Sequence, residues 1–255
     1  MIDIHSHILP GIDDGAKHLE ESVAMARAAV LEGIHTVIAT PHHKNGRYDN
    51  TKEMILPLVD QLNTRLQQEE IPLTVLPGQE SRIYGEMIED CEEGVILPLN
   101  KNTRYVFVEL PSSNVPRYAK KLLFDMQLND LKPIIVHPER NKVIMEDPSI
   151  LYDFVRNGAL TQITAASVTG HFGKKIKKFT QELIKLNLTH FIASDAHNTS
   201  SRGFRIQEAS QVIQDTFGHS MLCYFMENAQ CMINDDTVIG DEPIKPKQKK
   251  ILGLF

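Results

Sequence analysis

Short apolar runs alternate with amphipathic stretches along the chain. The first, Ile2-Asp3-Ile4-His5-Ser6-His7, changes character at every second residue, as a strand with two unlike faces does. Leu19 to Gly33 reads as a helix with Val23, Ala26, Val30 and Leu31 on one side and Gly33 as its C-cap. A strand from Val37 follows, then a helix marked by Met54, Leu58, Leu62 and Leu66, which Pro72 ends before a strand at 73–76. An acidic helix is expected over 83–93 and a strand over 105–109. Tyr118, Leu122, Leu123, Met126 and Leu131 outline the helix that returns to a strand at 134–137. A helix at 149–157, a strand at 161–164, a helix opening at Lys174, a strand at 191–194 and helices at 204–217 and 220–229 complete the order. Strands alternating with helices predict parallel β/α units, and about seven of them predict an α/β barrel short of the usual eight strands. One domain is expected over residues 1–240, with 241–255 left as a flexible basic tail.

The strands share a type of ending. After the first strand, with its His5 and His7, Val37-Ile38-Ala39-Thr40-Pro41 runs into His42, and Val75-Leu76-Pro77-Gly78-Gln79 into Glu80. Val106-Phe107-Val108 ends in Glu109, Ile134-Ile135-Val136 in His137, and Phe191-Ile192-Ala193-Ser194 in Asp195 and His197. Barrel enzymes carry their functional side chains where strands pass into βα loops, so these endings meet at one mouth. An open doubly wound sheet would spread them along a crest.

Imidazoles and carboxylates without a thiolate suit Mn²⁺, Fe²⁺ or Zn²⁺ better than a closed structural zinc site. With Asp13 or Asp14 from the loop Leu9 to Gly15, the set exceeds what one ion can use, which implies bridging carboxylates and two or three ions. Closely spaced divalent ions hydrolyse phosphate esters by acidifying a bridging water and stabilising the attacking and leaving oxygens together. Arg140, in His137-Pro138-Glu139-Arg140, and Arg205, in Gly203-Phe204-Arg205, are the expected phosphate forks. His43 points away from His42 on an extended chain. His18, His35, His171, His190 and His219 have no partner motif, and the lysines at 174, 175, 177 and 178 read first as a solvated helix face.

A net charge of −6 provides no global positive field, so nucleic acid is not an expected partner. No apolar stretch reaches the roughly 20 residues a bilayer span needs, and a cytoplasmic protein is expected. Cys91, Cys223 and Cys231 are odd in number and widely spaced, which fits a reducing compartment. None is followed six residues later by the arginine that a cysteine phosphatase loop needs.

The signatures Asp3-Ile4-His5-Ser6-His7, Thr40-Pro41-His42-His43, Gly78-Gln79-Glu80, Val108-Glu109-Leu110-Pro111, Val136-His137-Pro138-Glu139-Arg140 and Ser194-Asp195-Ala196-His197 resemble those of the PHP (polymerase and histidinol phosphatase) superfamily. More closely, with Pro10-Gly11-Ile12-Asp13-Asp14-Gly15, they resemble its bacterial protein-tyrosine phosphatases encoded with capsule and exopolysaccharide genes. The resemblance runs from residue 1 to about 235. It implies a distorted (β/α)7 TIM-like barrel and a trinuclear, usually manganese-dependent site of His5, His7, Asp14, His42, Glu80, Glu109, His137, Asp195 and His197. Elsewhere in the superfamily a histidine follows the His-x-His pair; here Asp14 is taken in its place. The implied substrate is phosphotyrosine on the tail of a membrane-associated tyrosine autokinase that governs polysaccharide export. The alternatives are a phosphoesterase for a small metabolite such as histidinol phosphate and a module that keeps metal only for folding.

Overall fold

The computed structural model describes residues 1–247, so the end of the expected tail, 248–255, lies outside the described residues. Strands β1 (Ile2–Ser6), β2 (Thr36–Ala39) and β4 (Thr74–Pro77) form one sheet in that order. A second sheet runs β3 (His42–His43), β5 (Glu80–Arg82), β6 (Tyr105–Glu109), β7 (Lys132–Val136), β8 (Leu160–Thr164) and β9 (Phe191–Ala193). Every pairing is parallel.

Two kinked staves join these sheets. The chain passes from β2 to β3 through Thr40-Pro41, where proline has no amide to donate, and from β4 to β5 through Gly78-Gln79. A Cβ on Gly78 would stand 2.7 Å from Ile38 Cγ2, so only glycine lets β4 cross β2 this closely. The amide of Thr40 donates to Ser6 O at 2.9 Å and that of Glu80 to Pro41 O at 3.0 Å, carrying the ladder across both kinks. The barrel closes where β1 meets the end of β9, by the Ser6–Ala196 bridge and by His7 N to Ala196 O at 2.8 Å and Asp195 N to His5 O at 2.9 Å. At this seam the buried Asp3 carboxylate accepts from Ser194 N at 2.9 Å and from the Ser194 hydroxyl. The result is the distorted seven-unit barrel that the sequence predicts.

The helices are α1 (Leu19–Leu31), α2 (Lys52–Gln68), α3 (Met87–Glu92), α4 (Ala119–Leu128), α5 (Lys142–Glu146), α6 (Ser149–Arg156), α7 (Ala165–Thr169), α8 (Lys174–Lys185), α9 (Ile206–Phe217) and α10 (His219–Ile233). Period two divides each strand between two packed layers. Val106, Val108 and Ile135 join the large apolar cluster with the helices, whereas Tyr105, Phe107, Ile134 and Val136 join the smaller one with Ile4, Ile38 and Phe191.

Some details differ from expectation for geometric reasons. A strict four-residue stripe turns by about 40° per step on a helix of 3.6 residues per turn. In α2 the buried face is therefore Ile55, Val59, Leu62 and Leu66, and Met54 is exposed. In α1 the expected Val23 and Ala26 are buried together with Met25 and Ala29, and Leu31 is 84% exposed. The acidic helix shortens to α3 because Ile83 N donates to Glu109 O at 2.9 Å, which keeps the residues after β5 extended. Residues 241–247 are held rather than loose at their start: Ile244 N donates to Leu186 O at 2.8 Å, and Asn187 Nδ2 to Glu242 O at 3.0 Å.

His190, at the start of β9 and away from the mouth, is buried and accepts the Thr161 amide on Nδ1 at 3.1 Å. Burial pushes its imidazole down to about 4. The unfolded chain therefore binds the proton first, so the stability linked to this group is fully present above about pH 6.5 and is lost as pH falls towards 4. At about 1.36 kcal/mol per unit, the loss by pH 4.5 is about 2–3 kcal/mol. Urea unfolding of wild type and His190→Gln at pH 7.5 and 4.5 checks this. The variant is expected to lose that much less between the two pH values, and parallel losses would refute the assignment.

Candidate metal centre

Each strand end aims its side chain at one mouth by a local device. His5 and His7, two apart on β1, fall on the same side, with ring centroids 5.4 Å apart. His5 rests 5.0 Å from the Phe107 ring, so the apolar filling of the barrel forms the floor beneath it. His137 and Asp195 leave β7 and β9 in the left-handed region, with φ of 37° and 53°. Such backbone costs on the order of 1 kcal/mol or more in a non-glycine residue, and here it turns both side chains back over the barrel end. The loop after β1 folds onto His7: Ala16 N donates to His7 O at 3.2 Å, and a Cβ on Gly15 would lie 1.9 Å from that same oxygen.

Glu80 occupies the middle. Its Oε2 lies 2.7 Å from His42 Nδ1, 3.4 Å from His7 Nε2 and 3.5 Å from His5 Nε2, and its Oε1 lies 2.7 Å from His137 Nε2. Asp195 Oδ1 is 3.2 Å from His7 Nε2 and 3.6 Å from His5 Nε2. Asp14 Oδ1 is 3.4 Å from His197 Nε2 and 3.5 Å from His42 Nε2. Three groups have their donor atoms within 4.8 Å of one another: His7 with Asp14, His42 and His197; His5 with His7 and Glu80; His42 with Glu80 and Glu109. The structure thus brings together every ligand candidate read from the sequence, with Asp14 rather than Asp13 placed among the converging donor atoms of His7, His42 and His197.

The donor set fits divalent cations on an observation independent of any motif. His5 Nε2, His7 Nε2, His42 Nδ1, His197 Nε2, Glu80 Oε2 and Glu109 Oε2 are buried and lack a hydrogen-bond partner, although they crowd one another. Buried polar atoms are rarely left so, and six around one point are explained together by cations between them. The electrostatics agree. Burial, then the neighbouring Glu80 carboxylate, pushes Glu109 up to about 8. Burial opposes charge on Glu80 too, but His42 and His5 hold it well below the ordinary carboxylate range. His7 is raised against the cost of burial by Asp13, while burial and then Arg140 push His137 down to about 4. The site is short of positive charge.

Three supporting residues, Gln162, Arg82 and Arg202, carry no expectation from the sequence, while Asp13, the expected alternative to Asp14, stands behind His7. Asp13 Oδ2 holds His7 Nδ1 at 2.7 Å, which leaves Nε2 to face the cluster. Gln162, on β8, a strand with no expected ligand, meets His5 Nδ1 through Oε1 at 2.9 Å. Its Nε2 donates to Ile163 O at 2.7 Å, so the amide is oriented and His5 Nδ1 is the donor. Arg82 Nη2 lies 3.0 Å from Glu109 Oε1; its position two beyond Glu80 on one strand was the available signal. Arg202 Nη2 lies 3.3 Å from Asp195 Oδ2 and Nη1 lies 3.6 Å from Asp14 Oδ2.

Arg140 is at the cluster, with Nη2 2.7 Å from Asp195 Oδ2. Arg205 is not. Glu32 takes its backbone amide at 3.1 Å and that of Gln207 at 2.9 Å, and the left-handed Arg205 then directs its guanidinium to Glu208 at 3.3 Å. Arg140 and Arg202, and not the expected Arg205, line a cavity of about 210 Å³ with His42, Glu109, His137 and Asp195.

A parallel barrel whose strand ends converge histidines and carboxylates, with two arginines beside them, is the architecture of a metal-dependent hydrolase. The chain belongs to the CpsB/CapC family of capsular polysaccharide synthesis, whose sequence profile matches residues 1–234. It is 49% identical over 255 residues to tyrosine-protein phosphatase YwqE of Bacillus subtilis (strain 168), covering all of both chains. It is 35% identical to the putative tyrosine-protein phosphatase CapC of Staphylococcus aureus, again over the full length of both. In a crystallographic study of YwqE from Bacillus subtilis and CpsB from Streptococcus pneumoniae, described as metal-dependent tyrosine phosphatases, one chain superposes with a TM-score of 0.95 at 49% identity, covering 97% of this chain and 100% of that one.

Proposed function

We propose that this chain is a metal-dependent protein-tyrosine phosphatase acting on a tyrosine autokinase that controls capsule or exopolysaccharide synthesis. It would work in the cytoplasm, where its three free cysteines stay reduced. The observation that carries the reading is the set of partnerless buried nitrogens and oxygens at one mouth, walled by Arg140 and Arg202. In this reading His5, His7, Asp14, His42, Glu80, Glu109, His137, Asp195 and His197 hold two or three ions, with Glu80 central to them. Manganese is the metal the family resemblance implies, and the oxygen and nitrogen donors suit iron or zinc as well. Bound there, the ions supply Lewis acidity and an acidified water.

The chain's own residues do the rest. Asp13 and Gln162 fix the ring orientation of His7 and His5, so the nitrogens facing the cluster keep their lone pairs. Arg140 and Arg202 are placed to bind the phosphate oxygens and follow their charge as the bond to the leaving oxygen breaks. The cavity they line contains no lysine, cysteine or tyrosine, and its Glu109 and His42 are taken up in this reading by the ions, which leaves neither free to act as an acid. A tyrosinate leaves without much protonation, since its pKa near 10 is about five units below that of a serine alkoxide.

The test compares matched phosphotyrosine and phosphoserine peptides, with histidinol phosphate as a small-molecule control. kcat/KM is expected to be at least about a hundredfold higher on phosphotyrosine, a difference of about 2.7 kcal/mol in barrier. Equal rates on the two peptides, or preference for histidinol phosphate, would replace this reading with a metabolite phosphoesterase.

A further inference from the structure

The mouth has a basic flank that the chemistry above does not use. Arg140 carries the Phe172 ring 5.4 Å from its guanidinium carbon, and Phe172 belongs to the short turn between α7 and α8. That turn is framed by Gly170 and Gly173, both at φ +95°, a conformation glycine adopts freely. Two residues after Phe172, and so within about 7 Å along the backbone, α8 begins with Lys174-Lys175-Ile176-Lys177-Lys178. Ile176 is partly covered and Phe179 and Leu183 are buried, so helical spacing turns the other side outwards, and Lys174, Lys175 and Lys178 are all exposed. Lys177 differs: its Nζ reaches back to Thr169 O at 3.3 Å.

This placement works against the helix itself. The amino end of a helix carries partial positive charge, where acids are favoured and cations are not, yet the first turn of α8 has no acid. None of the three exposed lysines has a carboxylate within 4.0 Å among the described residues, and Glu182, one turn after Lys178, forms no ion pair with it. Lys174 and Lys175 at a positive helix end and Lys178 in the next turn, unpaired among the described residues of a chain of net charge −6, mark a local field opposite to the global one. We infer that Lys174, Lys175 and Lys178 form a docking surface for an acidic segment of the substrate polypeptide, flanking the phosphotyrosine held at Arg140. The inference rests on the proposed phosphatase reading and specifies the substrate class: phosphotyrosine within an acidic sequence. Phe172, stacked on Arg140, connects the two halves of this surface.

The experiment uses the full chain loaded with Mn²⁺ and two phosphotyrosine peptides that differ only in having Asp and Glu or Asn and Gln beside the tyrosine. Wild type is expected to favour the acidic peptide by about tenfold in kcat/KM, chiefly through KM, and to lose that preference as salt rises from 50 to 500 mM. The triple variant Lys174→Gln, Lys175→Gln, Lys178→Gln is expected to treat the peptides alike. It should hydrolyse p-nitrophenyl phosphate, too small to reach α8, at the wild-type rate. Equal kcat/KM on both peptides in wild type, or an acid preference that survives in the triple variant, would overturn the inference while leaving the phosphatase reading intact. Hydrolysis of p-nitrophenyl phosphate with neither phosphotyrosine peptide turned over would remove both. Binding to phosphatidylserine vesicles that the triple substitution abolishes, with peptide kinetics unchanged, would assign the lysines to a membrane surface and overturn the peptide inference.

Discussion

Stripping the protein of divalent metal by strong chelation is expected to lower phosphate release by about 10⁴-fold or more. The acidified water and several kcal/mol of charge stabilisation would be lost together, and each 1.36 kcal/mol is tenfold in rate. Added Mn²⁺ should restore the rate, read as phosphate released against metal content. The folded barrel should survive, because its floor of Tyr105, Phe107, Ile134 and Phe191 packs without any ligand. Alkylating the cysteines should have little effect. Burial pushes the Cys91 thiol up to about 12, and Cys91, Cys223 and Cys231 all lie outside the residues that line the arginine-walled cavity. Loss of activity on alkylation, with metal still bound, would overturn the mechanism.

The second large effect separates the residues proposed to hold metal from those proposed to hold phosphate. Glu80→Gln preserves the shape of the side chain but removes the charge that four imidazoles approach within 3.5 Å. Metal content and activity are expected to fall together, with activity near that of the chelated protein. Arg140→Ala should keep its metal and lose about 2–4 kcal/mol of transition-state stabilisation, the usual worth of one such electrostatic group. Arg202→Ala should behave likewise at smaller cost, since its contacts with Asp195 and Asp14 are longer, at 3.3 and 3.6 Å. Arg205→Ala should stay within a few-fold of wild type, because its guanidinium pairs with Glu208 instead. Metal analysis beside kcat/KM on one aryl phosphate checks all four. Full activity in Arg140→Ala, or a larger loss in Arg205→Ala than in Arg202→Ala, would show that the phosphate-binding roles are misassigned.

The chain's own pattern determined the barrel and the strand ends that carry histidines and acids, because both depend on short-range periodicity. Alternation at period two puts His5 with His7 and Glu109 with Phe107 whatever else the chain does, and parallel β/α units send all strand ends to one mouth. Loops obey no such period, and there only the tertiary structure decided. Asp13 and Asp14 are equivalent in sequence. The fold separates them because Gly15 packs against the His7 carbonyl, which sets Asp13 on His7 Nδ1 and leaves Asp14 to face His42 and His197. Arg202 and Arg205 are three apart in one loop, and Glu32, 173 residues from Arg205, captures the later amide and so turns its side chain away. Gln162 reaches His5 across 157 residues of sequence, from a strand that carries no ligand and so no signal. The last two outcomes depend on contacts between residues distant in the chain and the first on a loop folding back onto its own strand, and a local pattern holds no record of either until the backbone has closed the distance.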